Sequence, residues 1–335
     1  MIPSEPLRYR AYRHLQGHVR ITDVEVSTSE LAREYEHVVL IEPSHVGICS
    51  ADVRELRGER PGRTDFGHEV VGRVLESTHP RFASGDPVVM NPFVKIHRET
   101  AFAEKMYLAG TEEMIVSALL KVPSDEVQFS IAEPLACAIH AAHRSSSSDM
   151  EPTLVIGAGF FGYLLYCYLD SKRNPVMLAN RSLDRLSDLG RRIAGLRTVD
   201  ELEGCARGFA TVFLMQSRLT SEDVADAGRL VREQGEVVLF GAIDRVAAPE
   251  LYAIRTRQQR IATVKDGKTH FLRGTLDASL ADLNEAVAML SRPEFVKKVA
   301  PILADPLSFE AGATHLAHRA GSPRSFHKYL IDMRA

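Results

Sequence analysis

The 335-residue chain has no tryptophan and only four cysteines, Cys49, Cys137, Cys167 and Cys205, none at paired spacing. That scarcity disfavours a disulfide framework and makes a reducing, cytoplasmic setting the expectation. No apolar run reaches the roughly 18 residues that a membrane helix needs. The opening MIPSEPLRYRAYRHLQ also lacks the apolar stretch of a signal peptide. An excess of one charge is missing too: 41 Lys and Arg face 44 Asp and Glu, a net charge of −3. With both signs interspersed, there is no basic footprint for nucleic acid. Membrane spanning, secretion and nucleic-acid binding are disfavoured.

What is present fits an ordinary globular protein, 45% hydrophobic and 25% charged, long enough for two domains. Residues 7–48 read as short strands: RYRAYRHL, HVRITDVEV and EHVVLIEPSHVGI alternate or are β-branched, with Gly, Ser and Thr between them. The stretch that follows, VGICSADVRELRGERPGRTDFGHEVVGRVL, sets Cys49 ahead of the adjacent pair His68-Glu69. Thiolate, imidazole and carboxylate suit a borderline-soft Zn²⁺ ion with one position left open. Taken singly, these residues also fit a buried cysteine and a surface His-Glu pair. Gly47, Gly67 and Gly72 allow close turns beside them.

The joint pattern G-I-C-x-x-D followed by G-H-E-x-x-G resembles the zinc-dependent medium-chain dehydrogenase/reductase family, which includes alcohol, sorbitol and threonine dehydrogenases. The resemblance covers essentially the whole chain. It implies an α/β protein with a GroES-like β-rich catalytic domain, residues 1–125 plus 277–335, and a Rossmann doubly wound cofactor domain, residues 126–276. It also implies one catalytic zinc at Cys49, His68 and Glu69, and a homodimer through the cofactor domain. The run EPLACAIHA matches the family segment whose carboxylate ligates zinc directly or through water, which brings Glu133 into the set. Asp52 is expected to orient a ligating group. Cys137 reads as core, and His140 and His143 as satisfied helix histidines.

Several family features are lacking. Relatives with a structural zinc carry four close cysteines where residues 93–110 have none, so that site has no ligands. Lys95, His97, Arg98 and Glu99 in this stretch read as a solvated loop or a substrate entrance. Two residues after the metal cysteine, alcohol and sorbitol dehydrogenases usually carry a hydroxyl that relays the substrate proton. Here the residue is Ala51, so water, a site carboxylate, Ser50 or a substrate hydroxyl must serve instead.

The second half opens with the polar connector Ser145–Asp149 and the run TLVIGAGFFGYLLYCYL. An apolar strand enters Gly157-Ala158-Gly159-Phe160-Phe161-Gly162 and an amphipathic helix leaves it, the required context for a dinucleotide-binding turn. The next strand, PVMLANRS, lacks the acid that accepts ribose hydroxyls from NAD. Asn180, Arg181 and Ser182 stand there instead, with Arg185 one turn on. An arginine beside neutral donors attracts a 2′-phosphate, so NADP is expected, with NAD as the alternative. TVFLM and EVVLFGAI continue a parallel alternation of strands and helices. FLRGTL reads as a last sheet strand and FHKYLIDM as a closing strand, whereas residues 244–270 resist placement.

These parts predict hydride transfer between a nicotinamide and a secondary alcohol or ketone. Within the family, the C-x-A-D-x-R run, the missing structural-zinc cysteines and the basic second-strand end resemble the ribulose-5-phosphate reductases. That resemblance makes Arg54 a phosphate or polyol contact, with Arg57, Arg60 and Arg63 as an extension or a solvated loop. A polyol, cyclitol or amino-cyclitol dehydrogenase is the alternative substrate reading. A catalytically silent cofactor-binding scaffold is the alternative of a different class.

Overall fold

The computed structural model describes residues 6–15, 18–59, 66–146, 150–181, 196–199, 201–202, 208–265, 267–319 and 327–335. Arg60, Arg63, Ser182, Arg185 and Cys205 fall outside them. The chain divides into two units, Met1–Pro134 with Leu283–Ala335, and Leu135–Asp282.

The first unit opens with an antiparallel hairpin, β1 (Leu7–Leu15) and β2 (His18–Val26), followed by α1 (Thr28–Glu34). Its main sheet holds β3 (His37–Gly47), β4 (Glu69–Ser77), β5 (Pro87–Met90), β6 (His97–Arg98), β7 (Met106–Gly110) and β8 (Leu119–Lys121), in the order β6-β7-β3-β4-β5-β8. β3 is buried almost throughout because it is central, which explains its unbroken apolar pattern. Pro43 is tolerated in it at a register shift between Pro43 and His45, where the ladder needs no donor. Two helices flank this sheet, α2 (Ser50–Leu56) and α3 (Glu112–Ala118).

Helix α4 (Ala132–Arg144) begins in the first unit. In the second unit, β9 (Thr153–Ile156), α5 (Phe160–Ser171), β10 (Val176–Asn180), β11 (Arg197–Thr198), β12 (Phe209–Leu214), α6 (Ser221–Leu230) and β13 (Val231–Leu239) follow in alternation. Then come α7 (Pro249–Thr256), β14 (Arg260–Lys265) and β15 (Lys268–Gly274), giving the order β11-β10-β9-β12-β13-β15-β14. Every residue of β9 and β12 is buried, as a parallel sheet covered on both faces requires. The sheet is parallel except at one edge, where β14 runs antiparallel to β15. Residues 244–270 thus supply a short helix and an edge hairpin. Ile261 and Val264, at 40% and 69% exposure, carry the edge strand's apolar residues outward, so no single-face alternation marks it.

The chain closes with α8 (Leu280–Leu290), α9 (Pro293–Val299), α10 (Phe309–Arg319) and β16 (Leu330–Asp332). β16 pairs antiparallel with β3, Leu330 opposite Gly47. The stretch FHKYLIDM therefore yields a strand of only three residues, and that strand returns to the first unit. A core around Tyr12, Phe102 and Phe309 ties the ends of this unit together, with ring centroids 5.5 and 4.8 Å from Tyr12. Burying each such side chain contributes about 1.5–3 kcal/mol. No described helix is long and apolar enough to cross a membrane.

Candidate metal centre and cofactor site

The end of β3 hands the chain to the N-terminus of α2, and Cys49 occupies the cap position. Asp52, in the first turn of α2, accepts the Cys49 N–H at 2.8 Å and the Gly67 N–H at 2.9 Å. One carboxylate thus fixes both ends of the loop that carries the cysteine and the histidine. Gly67 has φ +65°, and a Cβ there would meet Phe102 and Thr100. The Gly67 carbonyl receives Arg98 Nη1 at 3.1 Å, so Arg98 supports this loop. Glu99 is bound by Arg13 at 2.7 Å and by the Tyr9 hydroxyl at 2.8 Å.

His68 follows, with Nδ1 3.6 Å from Asp52 and a hydrogen bond between its ring and Cys49. Burial alone would push the imidazolium down, yet Asp52, Cys49 and Glu133 outweigh it and raise its pKa well above the usual histidine value. Burial pushes the Cys49 thiol up, and the Glu69 charge adds to that. Asp52 is raised by burial as well, against the pull of His68 and its two N–H donors. One ligand atom each from Cys49, His68 and Glu69 lies within 4.8 Å of the others, and all three residues are buried. Donor set and spacing fit a Zn²⁺ ion. Glu133, 8% exposed in the first turn of α4, stands outside this tight set, and its charge acts on His68. A second His-Glu group, Glu36, His37 and Glu112, is partly exposed at the surface.

Glu69 is opposite Gly47 in the ladder, and a Cβ at Gly47 would run into its carboxylate. The partner of that carboxylate is Lys328, a residue sequence reasoning missed. Its Nζ lies 2.7 and 2.6 Å from the two Glu69 oxygens and donates to the Ile48 carbonyl at 3.2 Å. β16 places it there: Ile48 N–H bonds the Tyr329 carbonyl at 2.9 Å, one residue before the strand. Burial would lower the Lys328 pKa, but Glu69 and Cys49 raise it overall. A lone lysine leading an apolar strand was the only available signal.

Arg54 is two-fifths exposed on α2, and its Nε is 3.4 Å from Glu59. Cys137 is half-buried rather than core, because it shares a helix stripe with His140 and Arg144. His140 and His143 both meet Asp282, at 2.9 and 2.8 Å.

In the second unit, Gly157 has φ +105°, and a Cβ there would press on the Gln216 backbone. At Gly162 a Cβ would collide with the Gly157 carbonyl, while at Gly159 it would meet nothing within 4 Å. The first and third glycines are thus required by packing. The second leaves open space at the N-terminus of α5, a cradle that fits a pyrophosphate. The Phe160 and Phe161 rings stand 5.5 Å apart, with Phe161 5.2 Å from Phe240. Asn180 accepts the Ala158 N–H at 3.2 Å, bracing the turn from the next strand. Arg181 is exposed and ion-paired to buried Asp223.

Residues 35–123 match the alcohol dehydrogenase GroES-like domain. Over 150 residues the chain is 33% identical to a zinc-type alcohol dehydrogenase-like protein of Haemophilus influenzae, covering 38% of this chain and 44% of that one. Over 175 residues it is 28% identical to D-arabitol-phosphate dehydrogenase of Enterococcus avium, covering 44% and 49%. The chain thus spans about half the length of the curated relatives it matches. Among solved structures, a zinc-binding dehydrogenase of Sinorhizobium meliloti bound to NADP superimposes with a TM-score of 0.71 at 17% identity, covering 97% and 99%. The match over residues 35–123 and the superposition together show that the chain shares the fold of the zinc-binding dehydrogenases, with a GroES-like domain at residues 35–123.

Proposed function

We propose that the chain is a zinc-dependent oxidoreductase that moves a hydride between NADP(H) and a secondary alcohol or ketone of a polyhydroxylated substrate. The observation that carries this reading is the buried set Cys49, His68 and Glu69, with ligand atoms within 4.8 Å of one another. A set with these donors has little structural use and suits a catalytic metal. Cys49, His68 and Glu69 would hold the ion, and Glu133 would complete or exchange in its shell. Bound zinc supplies a Lewis acid for the substrate oxygen, and bound NADP(H) supplies or accepts the hydride.

The chain's own residues do the positioning. Asp52 holds the His68 ring and the loop around it, and Lys328 holds Glu69. Ala51 has no hydroxyl to relay a proton, so the proton would leave through water, a site carboxylate such as Glu133, Ser50 or a substrate hydroxyl. Gly157, Gly159, Phe160, Phe161 and Gly162 would seat the dinucleotide, and Asn180 and Arg181, with Ser182 and Arg185, would select NADP(H). A ketose phosphate of the ribulose-5-phosphate type leads among substrates, gripped by Arg54. The likeness to a protein named D-arabitol-phosphate dehydrogenase supports a phosphorylated polyol or ketose. The reading also includes a cytoplasmic homodimer, supported by the open β14 edge with Ile261 and Val264 outward.

NADPH oxidation against a panel of keto-sugars, with and without phosphate, tests the reading. Arg54→Ala should lower kcat/KM for the phosphorylated substrate by about 10- to 200-fold, the loss of a charge-assisted contact. Its dephospho analogue should change little. Equal losses for both would remove the phosphate assignment, and no oxidation with any ketone would favour the silent scaffold.

A further inference from the structure

Arg181 follows the last residue of β10, and its guanidinium reaches Asp223 in the first turn of α6. β10 and β12 flank β9 in the sheet, and α6 comes after β12. The ion pair therefore spans the carboxyl end of β9, above the turn that begins at Gly157. In a doubly wound sheet, this switch-point crevice is where a dinucleotide lies.

Asp223 is only 3% exposed, and its oxygens are filled. Oδ2 accepts the Thr220 N–H and hydroxyl, both at 2.8 Å, and Oδ1 accepts Gln216 Nε2 at 3.3 Å as well as Arg181. A carboxylate so buried and so occupied has no room for ribose hydroxyls. It is a fixed anchor. Arg181 differs in exposure: its side chain is 61% exposed, and its Nη2 meets Asp223 Oδ1. An exposed guanidinium with five N–H groups keeps donors for a ligand after one of them meets Asp223.

We propose that Asp223 is a positioning residue for cofactor choice: it pins the exposed Arg181 guanidinium over the crevice so that its remaining N–H groups meet the 2′-phosphate of NADP(H), an inference that rests on the NADP(H) reading above. A long exposed arginine would otherwise lose rotamer freedom on binding. The anchor settles that loss during folding, so it favours the phosphorylated cofactor and is indifferent to NAD(H).

Fluorescence titrations of NADPH and NADH on the full chain, its D223N, R181A and D223N/R181A variants, and D223E test this. The amide that D223N introduces would keep an oxygen for the Thr220 cap, so the helix start is preserved. D223N should weaken NADPH about 10-fold and leave NADH within about twofold, the size expected for one preorganised charged contact. D223E should recover part of the loss, and D223N should add nothing in the R181A background. Parallel losses for both cofactors would make Asp223 merely structural. Unchanged or tighter NADPH binding in D223N would also overturn the proposal. If R181A keeps its NADPH preference, the cofactor reading itself falls and takes this inference with it. If R181A loses that preference while D223N keeps it, only the role of Asp223 falls.

Discussion

At the end of β3, the Glu69–Lys328 pair is buried on both sides: Glu69 is fully buried and Lys328 is 4% exposed. At the end of β10 the arrangement is lopsided, with Asp223 buried and Arg181 61% exposed. The difference decides what each site contributes. Breaking a buried pair strands an uncompensated charge and costs about 3–5 kcal/mol. Loosening a pair with one solvated partner costs roughly 0–1 kcal/mol of stability and acts mainly on ligands. The first site is therefore bound up with folding of its unit. The second can be altered with the fold intact.

The largest expected effect breaks the first arrangement. Lys328→Met in protein stripped of metal should lower unfolding free energy by about 3–5 kcal/mol in urea titrations. Adding Glu69→Gln should restore much of it, since two neutral groups need no pairing. A loss under about 1 kcal/mol would mean that the buried pair is not the constraint it looks like.

Next in size is Gly162→Ala, which should cost about 1–3 kcal/mol through overpacking against the Gly157 carbonyl. Dinucleotide affinity should fall with it, because the same turn seats the cofactor. Stability loss with unchanged affinity would separate the turn from binding.

The smallest effect is pH-dependent and involves Asp125, away from both sites. Burial opposes its charge, but Arg73 at 2.6 Å and Ser44 at 2.7 Å hold its pKa down at about 2. A depressed carboxylate stabilises fully above its unfolded pKa of about 3.9 and loses that contribution as pH falls toward 2. Asp125→Asn should therefore lower the melting temperature at pH 6 and flatten its decline between about pH 4 and pH 2. Parallel melting curves for both proteins across that window would refute the assignment.

The motifs were legible because their partners are close in sequence or fixed by context. Cys49, Asp52, His68 and Glu69 lie within one stretch of the sequence, and the glycine turn sits between an apolar strand and a helix. Lys328 was not legible, because it lies 259 positions from Glu69 and arrives only through the pairing of β16 with β3. Lysine is also mostly exposed, so nothing local flags it as buried. Asp223 has the same difficulty: its sequence context says helix start, and its meeting with Arg181 depends on strand order. Residues 244–270 resisted reading because an exposed edge hairpin shows neither a clean period of two nor a buried run.

The most direct test of the account is the zinc content of the purified chain and of Cys49→Ala, measured by elemental analysis after exhaustive dialysis. The account predicts about one zinc per wild-type chain and far less in the variant, with circular dichroism unchanged, because the ion belongs to a site rather than to the core. Wild-type chain that holds no zinc when supplied with it, or Cys49→Ala that keeps the full complement, would contradict it.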